Sequence, residues 1–228
     1  MKKIILIFLI IFSNEVKSQI LKYHFGISSS NLKSADQDTT NNAEYKSLFG
    51  INVGVTSVNT VDDKISLLST FTFLQKGFIR SDIYQSSNAG VLVDNTTEEK
   101  ITESLLQFST CLNYNISDKF SVNAGPYVEY ILDGKVSLRE NSQQFNNAFS
   151  YSDNWTYGGP VFRNKFSFGI NLSSAYRLSK YFDFSVSYNI ANFSNANSSI
   201  VYNNSGSFVR YKLNSLNINL SYLMEMKN

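Results

Sequence analysis

One histidine, one cysteine, one tryptophan and two prolines are a sparse chemical toolkit for a chain of 228 residues. With His24 alone, no imidazole pair is available to a metal, and any acid–base centre built on histidine would rest on one position. With Cys111 alone, no internal disulfide forms. Charged residues are only 17% of the chain and the formal net charge is +2, which argues for no nucleic acid partner. Beyond the first dozen residues no apolar run approaches the roughly 20 residues that a membrane-spanning helix requires. What remains is 43% hydrophobic, with 18 Phe and 14 Tyr set among Asn, Ser and Gly. That is turn and strand chemistry, in a length suited to one all-β barrel domain.

The first residues read as a leader. Lys2 and Lys3 give a basic start, and Ile4 to Phe12 are nine uninterrupted apolar residues. Val16-Lys17-Ser18 then supplies a small-residue cleavage pattern, so residues 1–18 read as a secretory signal peptide and Gln19 as the first mature residue. No cysteine stands beside that site to carry a lipid anchor. An exported membrane protein without a spanning helix must cross as a closed barrel, because lipid offers the backbone no hydrogen bonds. Residues 19–228 are the expected barrel domain, located in the outer membrane.

The alternation from Leu106 to Leu132 carries that expectation. Leu106, Phe108, Thr110, Leu112, Tyr114 and Ile116 share one parity, as do Phe120, Val122, Ala124, Pro126, Val128, Tyr130 and Leu132. The other parity holds Gln107, Ser109, Cys111, Asn113, Asn123, Tyr127 and Glu129. Side chains alternate across a strand, so the hairpin has an oily, charge-free face and a small, polar one. About ten residues on either side of Ser117-Asp118-Lys119 match a tilted membrane strand.

The same reading elsewhere predicts strands opening at Leu21, Phe49, Ile65, Phe166, Phe182 and Ser215. Short turns fall near 57–64, 117–119 and 179–181. Long connections fall at Ser29–Glu44, Arg80–Thr102, Arg139–Asn164 and between strands 7 and 8. The fold class is therefore an all-β, eight-stranded antiparallel up-and-down transmembrane β-barrel with short periplasmic turns and long extracellular loops. Strand 8 changes parity at Tyr211 and Leu213, so a bulge or loop exit is expected near Asn214. An odd-length turn sets Arg177 opposite Asp183, and the hairpin sets Gln107 opposite Glu129 and Asn113 opposite Asn123. The predicted lumenal polar network is Lys76, Gln107, Glu129, Arg177 and Asp183, with Lys76 a partner for Glu129. An eight-stranded barrel is just wide enough for its own side chains, so a packed lumen rather than an open pore is expected.

Several stretches add a resemblance. Phe71 to Gly77 (FTFLQKG) resembles the "E-L-x-Y-x-x-K-G" end of strand 3 in the PorT-like outer-membrane β-barrel family of Bacteroidota. Val122 to Val128 (VNAGPYV) is similar to its "aGPy" strand 5, and Phe166–Leu172 and Tyr188–Asn192 to its strands 6 and 7. Thr70 stands where that family has a glutamate, and Leu106-Gln107-Phe108-Ser109 where it has "L-E-I-P". The resemblance implies an outer-membrane barrel, and through the founding member a link to protein secretion and gliding machinery.

His24, low on the inner face of strand 1, reads as core packing rather than as a catalytic base, and Cys111 as a small lumenal filler. No catalytic residue, cofactor or metal site is expected, and the chain is read as no enzyme; an outer-membrane lipid-modifying activity is the distant alternative. The expected role is structural or surface-binding, by a monomeric barrel surrounded by outer-membrane lipid. Recognition of an extracellular ligand or envelope protein partner is expected through the third long loop, which carries Tyr151, Trp155 and Tyr157. The alternative is a membrane component of an envelope secretion or assembly machine. N-terminal sequencing of the exported protein should begin at Gln19; a chain starting at Met1 would remove the leader from this reading.

Overall fold

The computed structural model describes residues 20–36, 43–88, 91–143, 149–151, 156–158, 166–193, 200–201 and 208–225; the expected leader and Trp155 lie outside them. Eight long strands form: β1 (Ile20–Asp36), β2 (Ala43–Thr60), β3 (Ile65–Asn88), β4 (Val91–Asn115), β5 (Phe120–Gln143), β6 (Phe166–Arg177), β7 (Phe182–Phe193) and β8 (Phe208–Glu225). Each pairs antiparallel with the next, and β1 pairs with β8 from Ile20↔Glu225 to Asp36↔Arg210, which closes the barrel. Three short segments, Phe149–Tyr151, Thr156–Gly158 and Ile200–Val201, add to the outer parts of β5 and β8. Closure leaves no row of unpaired amides facing lipid, where each would cost several kcal/mol.

The parity is that of a barrel turned inside out relative to a soluble protein. Phe25, Ile27, Phe49, Leu112, Phe168 and Leu220 all point outward and are 49–74% exposed. Gln107, Ser109, Cys111 and Asn113 alternate with them and are buried inside. Aromatic rings gather at both ends of this apolar belt. Tyr181 stacks on Tyr222 at 6.5 Å and Phe182 tilts against the same ring at 5.6 Å near the short turns, while Tyr130 meets Phe166 at 5.1 Å near the other end. Such rings suit the boundary between lipid and water.

The three short turns share one plan. In each, a side-chain oxygen at the second position takes the backbone amides that would otherwise be left open. Asp62 Oδ1 accepts from the amides of Lys64 and Ile65, both at 2.7 Å. Ser117 Oγ accepts from Phe120 at 3.1 Å, and Ser179 Oγ from Tyr181 at 3.3 Å. These turns fix the register, including Arg177↔Asp183, Gln107↔Glu129 and Asn113↔Asn123.

At the opposite end the strands run further than the apolar alternation suggests. β3 and β4 stay paired to Asn88↔Val91, through most of what reads in the sequence as a loop at Arg80–Thr102. β1 and β2 likewise extend into Ser29–Glu44, and β5 extends past Arg139 to Gln143. The alternation of oily residues marks only the lipid-facing span. Above it the backbone ladder continues with a polar outer surface, marked by exposed Asp133 and Lys135 on β5.

Register shifts occur where strands leave the belt: Leu32/Ser34 on β1, Ser47/Asn52 on β2, the level of Ser104/Leu105 between β4 and β5, and Phe168/Gly169 between β6 and β7. Each leaves amides or carbonyls to be satisfied by other means. At the β2 bulge, Ser28 Oγ donates to the Gln75 carbonyl at 2.6 Å. Ser30 Oγ donates to the Gly77 carbonyl at 2.7 Å and accepts from its amide at 2.8 Å. The irregularity expected near Asn214 takes a different form. β8 is unbroken there, but its pairing with β7 ends at Ser215↔Asn189, and Asn214 Oδ1 accepts the Ala191 amide at 3.1 Å in place of the missing ladder bond.

Placing arginine on the lipid face should cost far more than placing it in the lumen. Leu112→Arg or Ile170→Arg is expected to destabilise the folded barrel by about 2–4 kcal/mol, measured by denaturant unfolding in bilayers. Asn171→Arg, on the inner face, is expected to cost clearly less; equal costs would mean that the assigned faces are wrong.

Candidate functional site

The interior falls into three zones. Nearest the short turns, Asp183 of β7 is held from both sides: Arg177 Nε donates to Oδ1 at 2.9 Å and Lys22 Nζ to Oδ2 at 2.7 Å. Arg177 is the cross-strand neighbour that the odd-length turn requires. Lys22, on the inner parity of β1, joins it from the far side of β8. A mouth of about 170 Å³ opens beside this cluster, lined also by Asn115, Asp118 and Lys119.

Above lies a zone of amides and hydroxyls. Cys111 Sγ donates to Asn171 Oδ1 at 3.7 Å, Asn171 Nδ2 to Asn189 Oδ1 at 2.6 Å, and Asn189 Nδ2 to Gln107 Oε1 at 3.1 Å and Ser215 Oγ at 3.2 Å. This chain crosses the lumen from β4 to β7. His24 sits in the same zone, its Nε2 3.2 Å from Thr72 Oγ1 and its ring laid over Gly54, where any Cβ would collide with it. A cavity of about 110 Å³ lies among these side chains. The sequence reading of a fully packed lumen is corrected here: small Ser, Asn and Gly side chains do not fill the width.

The third zone, towards the long loops, is a sandwich. Adjacent rows across β3 and β4 read Leu74↔Leu105, Lys76↔Glu103 and Phe78↔Ile101. All six are buried, Leu74, Leu105 and Ile101 at 1% exposure, and Ile131 of β5 extends the first row. An ionic row is thus enclosed between two apolar ones. Lys76 Nζ reaches Glu129 Oε1 at 2.5 Å and lies 5.7 Å from the centre of the Tyr127 ring. Tyr127 in turn packs over Gly169 on β6, where a Cβ would strike its ring. The expectation of a polar inner face along the whole barrel is corrected: it holds near the short turns and gives way to this apolar seal above.

Of the residues singled out from sequence, Lys76–Glu129 and Arg177–Asp183 are in contact. Gln107 stands opposite Glu129 in register, while its amide oxygen accepts from Asn189 across the lumen. Lys22, Glu103 and Asn189 were missed, although inner parity and level mark each of them. In the outer segment the backbones of Tyr151 and Tyr157 pair with Asn141 and Ser137 of β5. Among the described residues no group of three or more His, Cys, Asp or Glu could hold a metal.

The family model described as "Outer membrane protein beta-barrel domain" matches residues 18–198. No curated protein matches the chain. Among solved structures, the attachment invasion locus protein of Yersinia pestis, crystallised with the heparin analogue sucrose octasulfate, is similar at TM-score 0.45 and 12% identity, covering 90% of this chain and 98% of that one. OprG of Pseudomonas aeruginosa gives TM-score 0.41 and 10% identity, covering 92% and 97%. Neisserial surface protein A gives TM-score 0.38 and 9% identity, covering 90% and 97%.

Removing one member of the enclosed ion pair should cost more than removing both. Glu129→Ala is expected to lose about 3 kcal/mol, the low end for a broken buried pair, because Glu103 stands next to Lys76 in register. Lys76→Met with Glu129→Leu should recover most of that loss. The comparison is read from unfolding midpoints; a double variant as unstable as Glu129→Ala would mean that the pair itself carries the stability.

Proposed function

The chain belongs to the outer membrane protein β-barrel domain family, and on that premise we propose that it is a surface-recognition protein whose outer-face extension binds a glycan or protein ligand. One observation carries this reading. β3, β4 and β5 are 24, 25 and 24 residues long, whereas β6 and β7 are 12 each. A membrane crossing uses about 9–11 residues, so roughly a dozen residues of each long strand rise beyond lipid as a paired sheet. Keeping so much backbone ordered outside the membrane costs entropy and contributes nothing to the crossing. A rigid platform for contacts accounts for it, with the backbones of Tyr151 and Tyr157 paired on β5 and the aromatic sequence around them, Trp155 included, supplying the contacts we propose. The barrel itself serves as the monomeric anchor, and residues 1–18 as the export signal.

A second reading is favoured by the PorT-like stretches at Phe71–Gly77 and Val122–Val128: a membrane component of an envelope secretion or assembly machine. Affinity capture from solubilised outer membranes separates the two, because a machine component brings down stoichiometric envelope proteins and a surface receptor does not.

A cysteine at Trp155, with Cys111→Ser, should react with an impermeant thiol reagent on intact cells. Excising Phe145 to Gly159 should leave the heat-dependent gel shift of the folded barrel unchanged while abolishing surface binding. Labelling only after the outer membrane is broken would invert the topology and defeat the proposal.

A further inference from the structure

The polar zone of the lumen has more hydrogen-bonding capacity than its own side chains use. Asn52 on β2 is 1% exposed, and neither its Nδ2 nor its Oδ1 has a hydrogen-bond partner among the described residues. The same holds for Oδ1 of Asn217, itself 5% exposed, and of Asn219 on β8. These groups converge. Asn52 and Asn219 both stand opposite Gly26 of β1, where a Cβ would strike Asn219 Oδ1, and all three amides line the cavity of about 110 Å³. A buried polar group left without a partner is costly, so three side chains placed this way point to a guest that donates and accepts hydrogen bonds.

The cavity does not stand alone. It shares Lys22, Leu68, Ala175 and Asp183 with the mouth of about 170 Å³ beside the short turns. The neck between the two is the Lys22–Asp183–Arg177 cluster. Its outermost member, Arg177, keeps 42% of its side chain exposed and, among the described residues, holds Asp183 through one side-chain hydrogen bond. In the other direction the Leu74–Leu105–Ile131 row and the enclosed Lys76–Glu129 pair block the way. Lys22 and Arg177 together outweigh the one carboxylate of Asp183, so the neck offers a cation no free countercharge, and the uncharged amides beyond it suit neutral guests.

We propose that the lumen is a one-ended hydrated vestibule. Water and small uncharged polar solutes enter from the short-turn end past the Lys22–Asp183–Arg177 gate, bind at Asn52, Asn217 and Asn219, and go no further. At roughly 30 Å³ for each water molecule, the inner chamber holds three or four. This goes beyond the recognition assigned to the outer extension and does not depend on it.

Cys111 lines the chamber and reports on access to it. The purified folded barrel in detergent micelles is treated with methyl methanethiosulfonate, a small neutral reagent. The Cys111 thiolate attacks the sulfenyl sulfur, a disulfide forms, methanesulfinate leaves and the thiol proton passes to water. Modification of the folded protein is expected, whereas a maleimide carrying a polyethylene glycol chain should react only after boiling. Arg177→Ala and Arg177→Gln should raise the small-reagent rate several-fold by widening the neck, and Lys135→Ala, on the exposed outer surface beyond the seal, should leave it unchanged. The heat-dependent gel shift verifies that each variant is folded. Resistance of Cys111 to the small reagent, at alkaline as well as neutral pH, would mean a sealed core. A rate indifferent to Arg177 would remove the gate; either result overturns the proposal.

Discussion

The hydrogen-bond ladder between β1 and β8 is the contact on which everything else depends. It joins residues near the two ends of the chain, Ile20 with Glu225, so its loop-closure entropy is the largest in the molecule. Lipid makes that cost unavoidable, because an open edge in hydrocarbon leaves amides that nothing solvates. The same demand explains the irregular places. Where β2 bulges, Ser28 and Ser30 reach across to the backbone of β3; where β7 and β8 part company, Asn214 takes the amide of Ala191. Serine and asparagine recur at these points because their short side chains imitate a backbone partner.

Once closure fixes the wall, the lumen must be filled by whatever inner parity supplies, and it supplies two different materials. Near the short turns it provides amides and hydroxyls that link in chains but pack loosely. Towards the long loops it provides leucine, isoleucine and phenylalanine around a lysine–glutamate pair. Charges in such surroundings are tolerated only when paired, and a pair held between apolar rows has few alternative geometries. The barrel is therefore sealed at one level rather than along its length, and the seal lies where the strands leave the lipid.

The wall was legible in the sequence because lipid imposes period two with little tolerance. One charged residue at Leu112 or Ile170 would have broken the pattern, and none is there. The turns at Ser117 and Ser179 were equally plain, and with them the facing of Arg177 and Asp183. The outer strands were not. Beyond Leu106 and Phe73 the outward residues become Ser104, Thr102 and Gln75, and polar residues of both parities look like loop even when their backbones are paired. The inner apolar rows were hidden for a related reason: Leu105 stands beside Leu106, and a two-residue apolar step blurs the alternation just where the seal begins. Lys22 escaped notice because its partner arrives from a strand two positions away around the barrel, a relation visible only once β1 and β8 are joined.

The unequal strand lengths leave outer edges unsupported, that of β5 above all. The ladder between β5 and β6 ends at Tyr130↔Phe166, yet β5 continues to Gln143. Above that point its free side is met by the chain's own short segments, Thr156–Gly158 and then Phe149–Tyr151. Membrane proteins diffuse in a plane with their outer ends aligned, so every copy holds such an edge at the same height as its neighbours' and at high local density. An open edge there would be a template for strand-to-strand growth across the cell surface. By folding its own residues onto that edge the chain occupies the template first, and crowding in two dimensions does not become aggregation.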